Sequence, residues 1–217
     1  MAAGKFLWAA KAALDWLMGG AAPTRPTSRK VHLYTTLPSK LDASGVEVST
    51  GVWTNYAAVT SAFDAGSSAH PSATANSADA DFGTATTLSN VILAGYAVRD
   101  QLGNGIYRGT LGGTQQSFTA DAGTDFLTAA AHGYNDGDPV VLEELRIGAS
   151  LPTGLSEGTV YFVRDKTTNT FKLAATAGGV AIDVTAAGSG GYVRSCAVVQ
   201  NGNPVKFSTG DLDLLEY

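Results

Sequence analysis

The stretch that decides the fold is residues 88–111, LSNVILAGYAVRDQLGNGIYRGTL. Its first half, residues 88–99, is rich in the β-branched, aliphatic and aromatic residues that are typical of strands. The DQLGNG segment at 100–105 is a turn signal, and residues 106–111 follow as a second strand. The stretch therefore predicts a β-hairpin, and we expect a mostly β chain because similar signals recur along the sequence.

Composition favours short strands joined by tight turns. The chain has 217 residues, of which 26 are glycine and only 15% are charged. That length fits one long β domain or two small ones. Low surface charge is unusual for a free monomer, so part of the surface is expected to be covered by neighbouring subunits. We expect a homo-oligomer, with a trimer favoured.

A helix is predicted at residues 5–18, KFLWAAKAALDWLM, because apolar residues recur there at helical spacing and Gly19-Gly20 ends the pattern. The helix either packs on its own core or docks on a partner or a symmetry mate. Lys11 and Asp15 interrupt its apolar character, and we expect neither a signal peptide nor a membrane span. Residues 1–30 are therefore predicted to be a helix followed by a Pro-containing linker.

The charge distribution predicts an inserted module. Residues 113–192 hold nine acidic and four basic residues, which accounts for the whole net charge of −5. Short strand signals at 118–120, 126–130, 140–145, 160–163 and 171–174 are spaced as in a small β-barrel or sandwich. We therefore predict an antiparallel β-sandwich domain formed by residues 31–112 plus 192–217, with a small acidic β module at 113–191.

Residues 64–81 are rich in Ala, Ser and Asp and lack aromatic and large aliphatic side chains. They are predicted to form a long surface loop.

No chemical site is predicted. His32 is expected on a strand surface, and no zinc-protease, dithiol, serine-hydrolase or phosphate-loop motif occurs. The densest polar stretch, residues 123–142 around His132, is interpreted as turn chemistry and solvated surface. Cys196 is alone and is expected to be a small buried hydrophobe. We expect no catalytic residue, no metal ligand and no cofactor. The carboxylate pairs are interpreted as surface groups; they are Asp136 with Asp138 and Asp211 with Asp213.

Six segments form a recognisable series: HLYTT at 32–36, GVEVSTG at 45–51, NYAA at 55–58, ILAGYAVRD at 92–100, GTL at 109–111 and FSTGDLDL at 207–214. In these segments the chain resembles small tailed-bacteriophage structural proteins often labelled tail-fibre proteins. The resemblance implies a virion protein with an N-terminal helix before a β domain. Departures from the family pattern are Trp53-Thr54 and the NGNP segment at 201–204.

Residues 117–175 are similar to a small β module that recurs inside phage virion proteins. The similarity runs through His132-Gly133, Gly137-Asp138, LPTGL at 151–155, GTVYFV at 158–163 and TFKLA at 170–174. It implies a portable, non-catalytic module and does not imply a ligand.

Three hypotheses about function remain open. The first is a non-enzymatic structural protein of a tailed-phage virion, assembled in the host cytoplasm and exposed on the particle as a capsid decoration or a tail or fibre component. Its partners would be major capsid or tail proteins, without nucleic acid or membrane. The second is a host-glycan adhesin that uses surface aromatics, and the third is a virion-attached hydrolase. The aromatics considered are Trp53, Tyr56, Tyr134 and Tyr161.

Overall fold

The computed structural model describes residues 4–5, 7–22, 26–39, 45–64, 72–87, 89–146, 148–212 and 214–216. Parts of the predicted linker and loop, residues 23–25 and 65–71, lie outside the described residues, as does Asp213. The chain divides into two compact units. Unit 1 comprises Met1–Val91, Gly95–Thr110 and Val198–Tyr217, and unit 2 comprises Ile92–Ala94 and Leu111–Ala197. The predicted insert at 113–191 lies within unit 2, and its independence as a domain stays a prediction.

The described residues form one helix and a series of short strands, which confirms a mostly β, antiparallel chain with an N-terminal helix. The elements are β1 (Gly4–Lys5), α1 (Leu7–Leu17), β2 (Arg29–Thr36), β3 (Val46–Glu47), β4 (Val59–Thr60), β5 (Ser72–Thr74), β6 (Ala80–Thr84), β7 (Val91–Leu93), β8 (Gly95–Asp100), β9 (Gly105–Thr110), β10 (Gln116–Asp121), β11 (Phe126–Thr128), β12 (Pro139–Glu144), β13 (Val160–Arg164), β14 (Thr170–Ala174), β15 (Gly191–Ser195), β16 (Ala197–Val199), β17 (Pro204–Phe207) and β18 (Leu214–Glu216).

The helix is shorter than predicted because Lys5 already pairs with Tyr107 as part of β1. It ends where Gly19 takes φ +93° and the Gly20 N–H bonds back to the Asp15 carbonyl at 2.8 Å. Such a left-handed residue after the last turn satisfies helix carbonyls, and glycine adopts it without strain. Within the described ranges, no helix combines the length and the apolar character needed to span a bilayer.

The main sheet of unit 1 is antiparallel, in the order β1-β9-β8-β2-β3, and β4 also pairs with β2. The predicted hairpin at 88–111 is confirmed as β8 and β9, although its first strand is broken at Ala94 into β7 and β8. Asp100 holds the turn, because its Oδ1 accepts hydrogen bonds from the backbone N–H groups of Leu102 and Asn104 at 2.9 and 2.8 Å. Val31, Leu33, Tyr96 and Val98 bury completely in this sheet.

An aromatic cluster forms the core beside that sheet. Trp53 is fully buried, and its ring centroid lies 5.6 Å from Tyr56 and 6.3 Å from Phe82. Phe207, on the late strand β17, packs edge-on against Phe82 at 6.3 Å and against Tyr96 at 5.6 Å. Aromatic pairs at these distances contribute about 0.5–1.5 kcal/mol beyond their buried area. The end of the chain is thereby held to strands more than a hundred residues earlier.

The predicted surface loop at 64–81 is wrong in its second half, where β5 pairs with β18 and β6 pairs with β17. Asn76 explains how a polar segment can be ordered, because it is only 1% exposed and its amide is bonded on both sides. Its Nδ2 donates to the Ser208 carbonyl at 2.9 Å, and its Oδ1 accepts from the Leu212 N–H at 2.9 Å. One amide therefore satisfies buried backbone groups near the end of the chain, a contact that apolar patterning does not reveal.

Unit 2 contains a closed barrel of six strands in the order β10-β11-β14-β13-β12-β15. Every neighbouring pair is antiparallel, and closure leaves the barrel without an unpaired edge. The prediction of a small barrel or sandwich at 113–191 is thus resolved as a barrel. Its core consists of Phe118, Leu127, Ala129, Tyr134, Val140, Leu142, Leu155, Tyr161, Val163, Phe171, Leu173, Val184 and Val193.

The two ends of the barrel segment are hydrogen-bonded to each other. Strand β10 pairs with β15, and Gly112 forms an isolated bridge with Cys196. Gly112 has φ +123°, and a Cβ there would lie 1.8 Å from the Ser195 carbonyl oxygen, so only glycine fits. Because the segment enters and leaves at one place, its removal need not stretch the chain that remains.

We predict that deletion of residues 114–190, which joins Gly113 to Gly191, leaves unit 1 folded. All three tryptophans of the chain, Trp8, Trp16 and Trp53, belong to unit 1. Tryptophan fluorescence therefore reports this unit alone, and the buried Trp53 should keep a blue-shifted contribution to the emission. Cooperative thermal unfolding of the variant is the second measurement. Fully red-shifted emission, or the loss of a cooperative transition, would contradict the inserted-module organisation.

Candidate functional site

His32 of unit 1 belongs to a hydrogen-bonded cluster with Glu47 and Tyr56. The pairing of β2 with β3 brings His32 Nδ1 to 2.8 Å from Glu47 Oε1, and the Tyr56 hydroxyl donates to the same oxygen at 2.8 Å. The Tyr56 oxygen in turn accepts the Leu33 N–H at 2.8 Å. The His32 side chain is 17% exposed, whereas Val31 and Leu33 are completely buried, so the histidine lies on the partly exposed face of the strand.

The electrostatics of this cluster favour a fixed, ionised Glu47. Burial by itself would raise the pKa of Glu47, but the hydrogen bonds from His32 and Tyr56 outweigh burial and lower the pKa below its ordinary 4.5. Burial above all, and the neighbouring carboxylate in addition, raises the pKa of the Tyr56 hydroxyl. Glu47 thus accepts two hydrogen bonds and lies beside a tyrosine that stays protonated. The cluster joins β2, β3 and the segment after Trp53.

His132 of unit 2 lies in the turn region between β11 and β12, but its side chain is buried among aromatic rings, so the interpretation as solvated surface is wrong for this residue. His132 is 6% exposed, and its ring stacks on Tyr134 at 5.1 Å and meets Phe171 edge-on at 4.9 Å. Its Nδ1 accepts the Tyr134 N–H at 3.0 Å, which leaves the ring proton on Nε2 in the neutral form. The imidazole is therefore a packed, hydrogen-bonded core element.

A shallow pocket of about 300 Å³ lies beside the His132 ring and is lined by residues 131–134 and 166–168. The turn at residues 135–138 positions Lys166 in this pocket. The Lys166 N–H donates to Asp136 Oδ1 at 3.1 Å, and its Nζ donates to Asn135 Oδ1 at 3.3 Å. The pocket thus offers one ammonium, the hydroxyls of Thr167 and Thr168, and backbone groups. Its size lies at the lower end of the range for small-molecule pockets.

The carboxylate pairs singled out in the sequence stabilise turns. Asp138 Oδ2 accepts the Asn135 N–H at 2.7 Å, and Asp136 Oδ1 accepts the Lys166 N–H. Asp211 Oδ2 accepts the Ser208 N–H at 2.7 Å, while its sequence partner Asp213 lies outside the described residues. Each described aspartate is engaged with backbone N–H groups, as is usual for turn residues.

The remaining candidates for chemistry are Cys196, the other described His, Asp and Glu side chains, and His70. Burial raises the pKa of the Cys196 thiol to about 12, so this side chain is a thiol at neutral pH and packs as the expected buried hydrophobe. Among the described residues, no group of three or more His, Cys, Asp and Glu side chains is arranged to hold a metal ion. His70 lies outside the described residues.

The aromatic residues considered for stacking on sugars are buried, so that hypothesis is wrong for these four side chains. Trp53 is 0% exposed and Tyr56 9%, while Tyr134 and Tyr161 are each 6% exposed. They belong to the two cores, where large aromatic area contributes most.

Large apolar residues are instead exposed on the second half of α1. Leu14 is 58% exposed, Trp16 54%, Leu17 73% and Met18 80%, while the Lys11–Asp15 pair neutralises the charges of the same turns. Scattered single exposures are ordinary, but here four large apolar residues within five positions are exposed, and they lie on more than one side of the helix. The sequence predicted the helix and left open which of its faces is covered.

Comparison with known proteins finds one family. Residues 6–132 match the family described as Podophage GP4 fiber I protein gp80. The match covers more than half of the chain, including α1, strands β2 to β9 and the first two barrel strands, and it ends at His132. No curated protein and no solved structure matches the chain.

We predict that Glu47→Gln destabilises the chain at neutral pH and much less in acid. The folded pKa of Glu47 is depressed, so its contribution is complete above the ordinary value of 4.5 and is lost as pH falls through the folded value. Loss of the charge should cost about 1 kcal/mol at pH 7, because the carboxylate is partly exposed. Denaturant unfolding from neutral pH to about pH 3 measures the gap between wild type and variant.

Asp15→Asn is the matched control, since its carboxylate is exposed and pairs with the exposed Lys11. Its effect should stay within about 0.5 kcal/mol. A gap between wild type and Glu47→Gln that stays constant across the pH series would contradict the role given to the charge.

Proposed function

The chain belongs to the family of Podophage GP4 fiber I protein gp80, and from that premise we propose that it is a homo-oligomeric tail-fibre component and not a capsid decoration. The chain is a structural protein of a phage virion, of the tail-fibre type. The single observation that carries the finer assignment is the family match, which spans the helix and most of the central sheet of unit 1.

Three structural features support this proposal. The exposed apolar residues of α1 suit a protein that is covered by neighbours in an assembly. The polar clusters around Glu47 and His132 are engaged in holding strands together, which fits a protein without enzymatic activity. The buried Cys196 is compatible with assembly in the host cytoplasm before incorporation. Other tail proteins are the partners we propose.

The location on the particle can be tested by labelling one residue. Val180 is 85% exposed and the native Cys196 is buried, so Val180→Cys should react with maleimide-gold where the wild type does not. Phage particles that carry the variant are imaged by electron microscopy after labelling. We expect gold at the tail, and wild-type particles treated in the same way are the control. Gold distributed over the capsid would overturn the fibre assignment.

A second candidate function, binding of a host surface glycan, is favoured by the pocket beside His132 and Lys166. The family match ends at His132, so Tyr134 and residues 166–168 of the pocket lie beyond it. An ammonium, two hydroxyls and backbone groups can form hydrogen bonds with sugar hydroxyls or an acidic substituent. We propose this function as an addition to the structural one.

We predict that Lys166→Ala with Thr168→Ala weakens binding to purified host surface polysaccharide about tenfold, since a few hydrogen bonds are lost. Lys206→Ala is the matched control, because Lys206 is an exposed lysine of unit 1 that pairs with Asp79. The length of the polysaccharide after incubation is measured in the same samples and should not change. Binding that is absent, or that is equal for the wild type, the double variant and Lys206→Ala, would reject the glycan-binding function. Shortened polysaccharide would reject the proposal that the protein has no enzymatic activity.

A further inference from the structure

The pocket lined by residues 131–134 and 166–168 lies in the basic part of an acidic segment. Residues 113–192 hold nine acidic and four basic residues, and three of the basic ones lie within positions 164–172. Those three are Arg164, Lys166 and Lys172, and the same positions include a single acidic residue, Asp165. We call this cavity the Lys166 pocket. A local excess of one charge attracts ligands of the opposite sign.

Two of the three cations already have a partner of opposite charge. Arg164 pairs with the residue that follows it, at 3.1 Å between Nε and Oδ2, and Lys172 Nζ lies 3.5 Å from Asp125 Oδ2. Lys166 differs, because its Nζ donates to the neutral amide oxygen of Asn135 at 3.3 Å. The ammonium that lines the pocket is thus held in place by a neutral group, and its charge is available to a ligand.

Hydrogen bonds also fix the two segments that line the pocket. Asp136 Oδ1 accepts the backbone N–H of Lys166 at 3.1 Å, so this carboxylate orients the main chain. Asn169 ties the second segment to the first, since its Oδ1 accepts the Ala131 N–H and its carbonyl accepts the Ala129 N–H, both at 2.9 Å. A binding surface that is already ordered loses little conformational entropy when a ligand binds.

Backbone strain occurs at the same place. Ala131 has φ +49° and Asp165 has φ +50°, and among the described residues Asp125 is the one other non-glycine residue with a positive φ. Ala131 lines the pocket, and Asp165 directly precedes Lys166. Residues in this conformation persist only where the surrounding structure holds them, and they cluster at ligand sites. The strain supports the choice of this pocket as a binding site.

The polar groups of the pocket match a carboxylate better than a neutral group or a doubly charged one. A carboxylate carries one negative charge on two oxygens, so it can accept bonds from the Lys166 ammonium and from the Thr168 hydroxyl together. A neutral sugar hydroxyl gains less from an ammonium than an anion does. A dianionic phosphate would leave one charge uncompensated in a segment whose nine acidic and four basic residues repel it.

We propose that the Lys166 pocket binds the carboxylate of an acidic sugar residue, with the Lys166 ammonium as its counter-ion. The inference rests on the glycan-binding function proposed above and names the class of sugar that is recognised.

The first test compares ligands that differ in the carboxylate alone. Host surface polysaccharide is separated by anion exchange into neutral and acidic fractions, and part of the acidic fraction is carboxyl-reduced with carbodiimide and borohydride, which converts each carboxylate to a primary alcohol. We expect the full-length protein to bind the acidic fraction at least about tenfold more tightly than the reduced or the neutral material. The preference should decrease as the salt concentration rises.

The second test changes the cation. Lys166→Gln should abolish the preference for the acidic fraction, and Lys166→Arg, which keeps the charge, should restore at least part of it. Lys172→Gln is the matched control, because it removes a cation of the same hairpin that already pairs with Asp125. The control should keep the wild-type preference, and an equal loss in Lys172→Gln would overturn the assignment to Lys166.

The outcomes separate this inference from the function on which it rests. A wild type that binds no fraction contradicts the glycan-binding function itself. Binding that is strongest to the neutral fraction, or that is unchanged by carboxyl reduction or by Lys166→Gln, overturns only the carboxylate. Binding that survives carboxyl reduction but is lost when phosphate groups are removed from the acidic fraction also overturns it, and would assign the pocket to a phosphate group.

Discussion

The close approach of β8 to β9, which only glycine permits, is the constraint on which unit 1 depends. A Cβ on Gly95 would lie 2.2 Å from the Gly109 carbonyl oxygen, and one on Gly109 would lie 2.7 Å from the Tyr96 ring. The Tyr96 side chain therefore lies flat over Gly109 and reaches Phe207, which fixes the late strand β17. Strand β9 also pairs with β1 and supports α1, so the position of the helix follows from the same approach.

The sequence predicted the elements that a local pattern encodes. The hairpin at 88–111 was predicted correctly because alternating strand residues flank a turn that Asp100 can hold with its own carboxylate. The barrel strands were predicted in part because each has a buried apolar alternation, as in β14, where Phe171 and Leu173 are buried and Lys172 is half-exposed. Local patterning did not decide between a barrel and a sandwich, since closure depends on β10 meeting β15 across more than seventy residues.

The sequence failed where a polar side chain is buried by partners from distant segments. His132 stands in a run of turn residues, and only the rings of Tyr134 and Phe171 show that it is enclosed. Asn76 is buried in a polar segment, where it bonds to Leu212. Glu47 is only partly buried, beside Tyr56. Hydropathy treats all of these residues as surface. Their burial becomes favourable only when the hydrogen bonds are made, and those bonds are not visible in local patterning.

The two units differ in their strand edges and in the apolar surface that they expose. The barrel pairs all six of its strands with one another and buries its aromatic residues, so its backbone needs no further strand. In unit 1 the main sheet ends in the two-residue strands β1 and β3, and α1 exposes leucines that water solvates poorly. The homo-oligomer that we propose would cover apolar surface of this kind on unit 1.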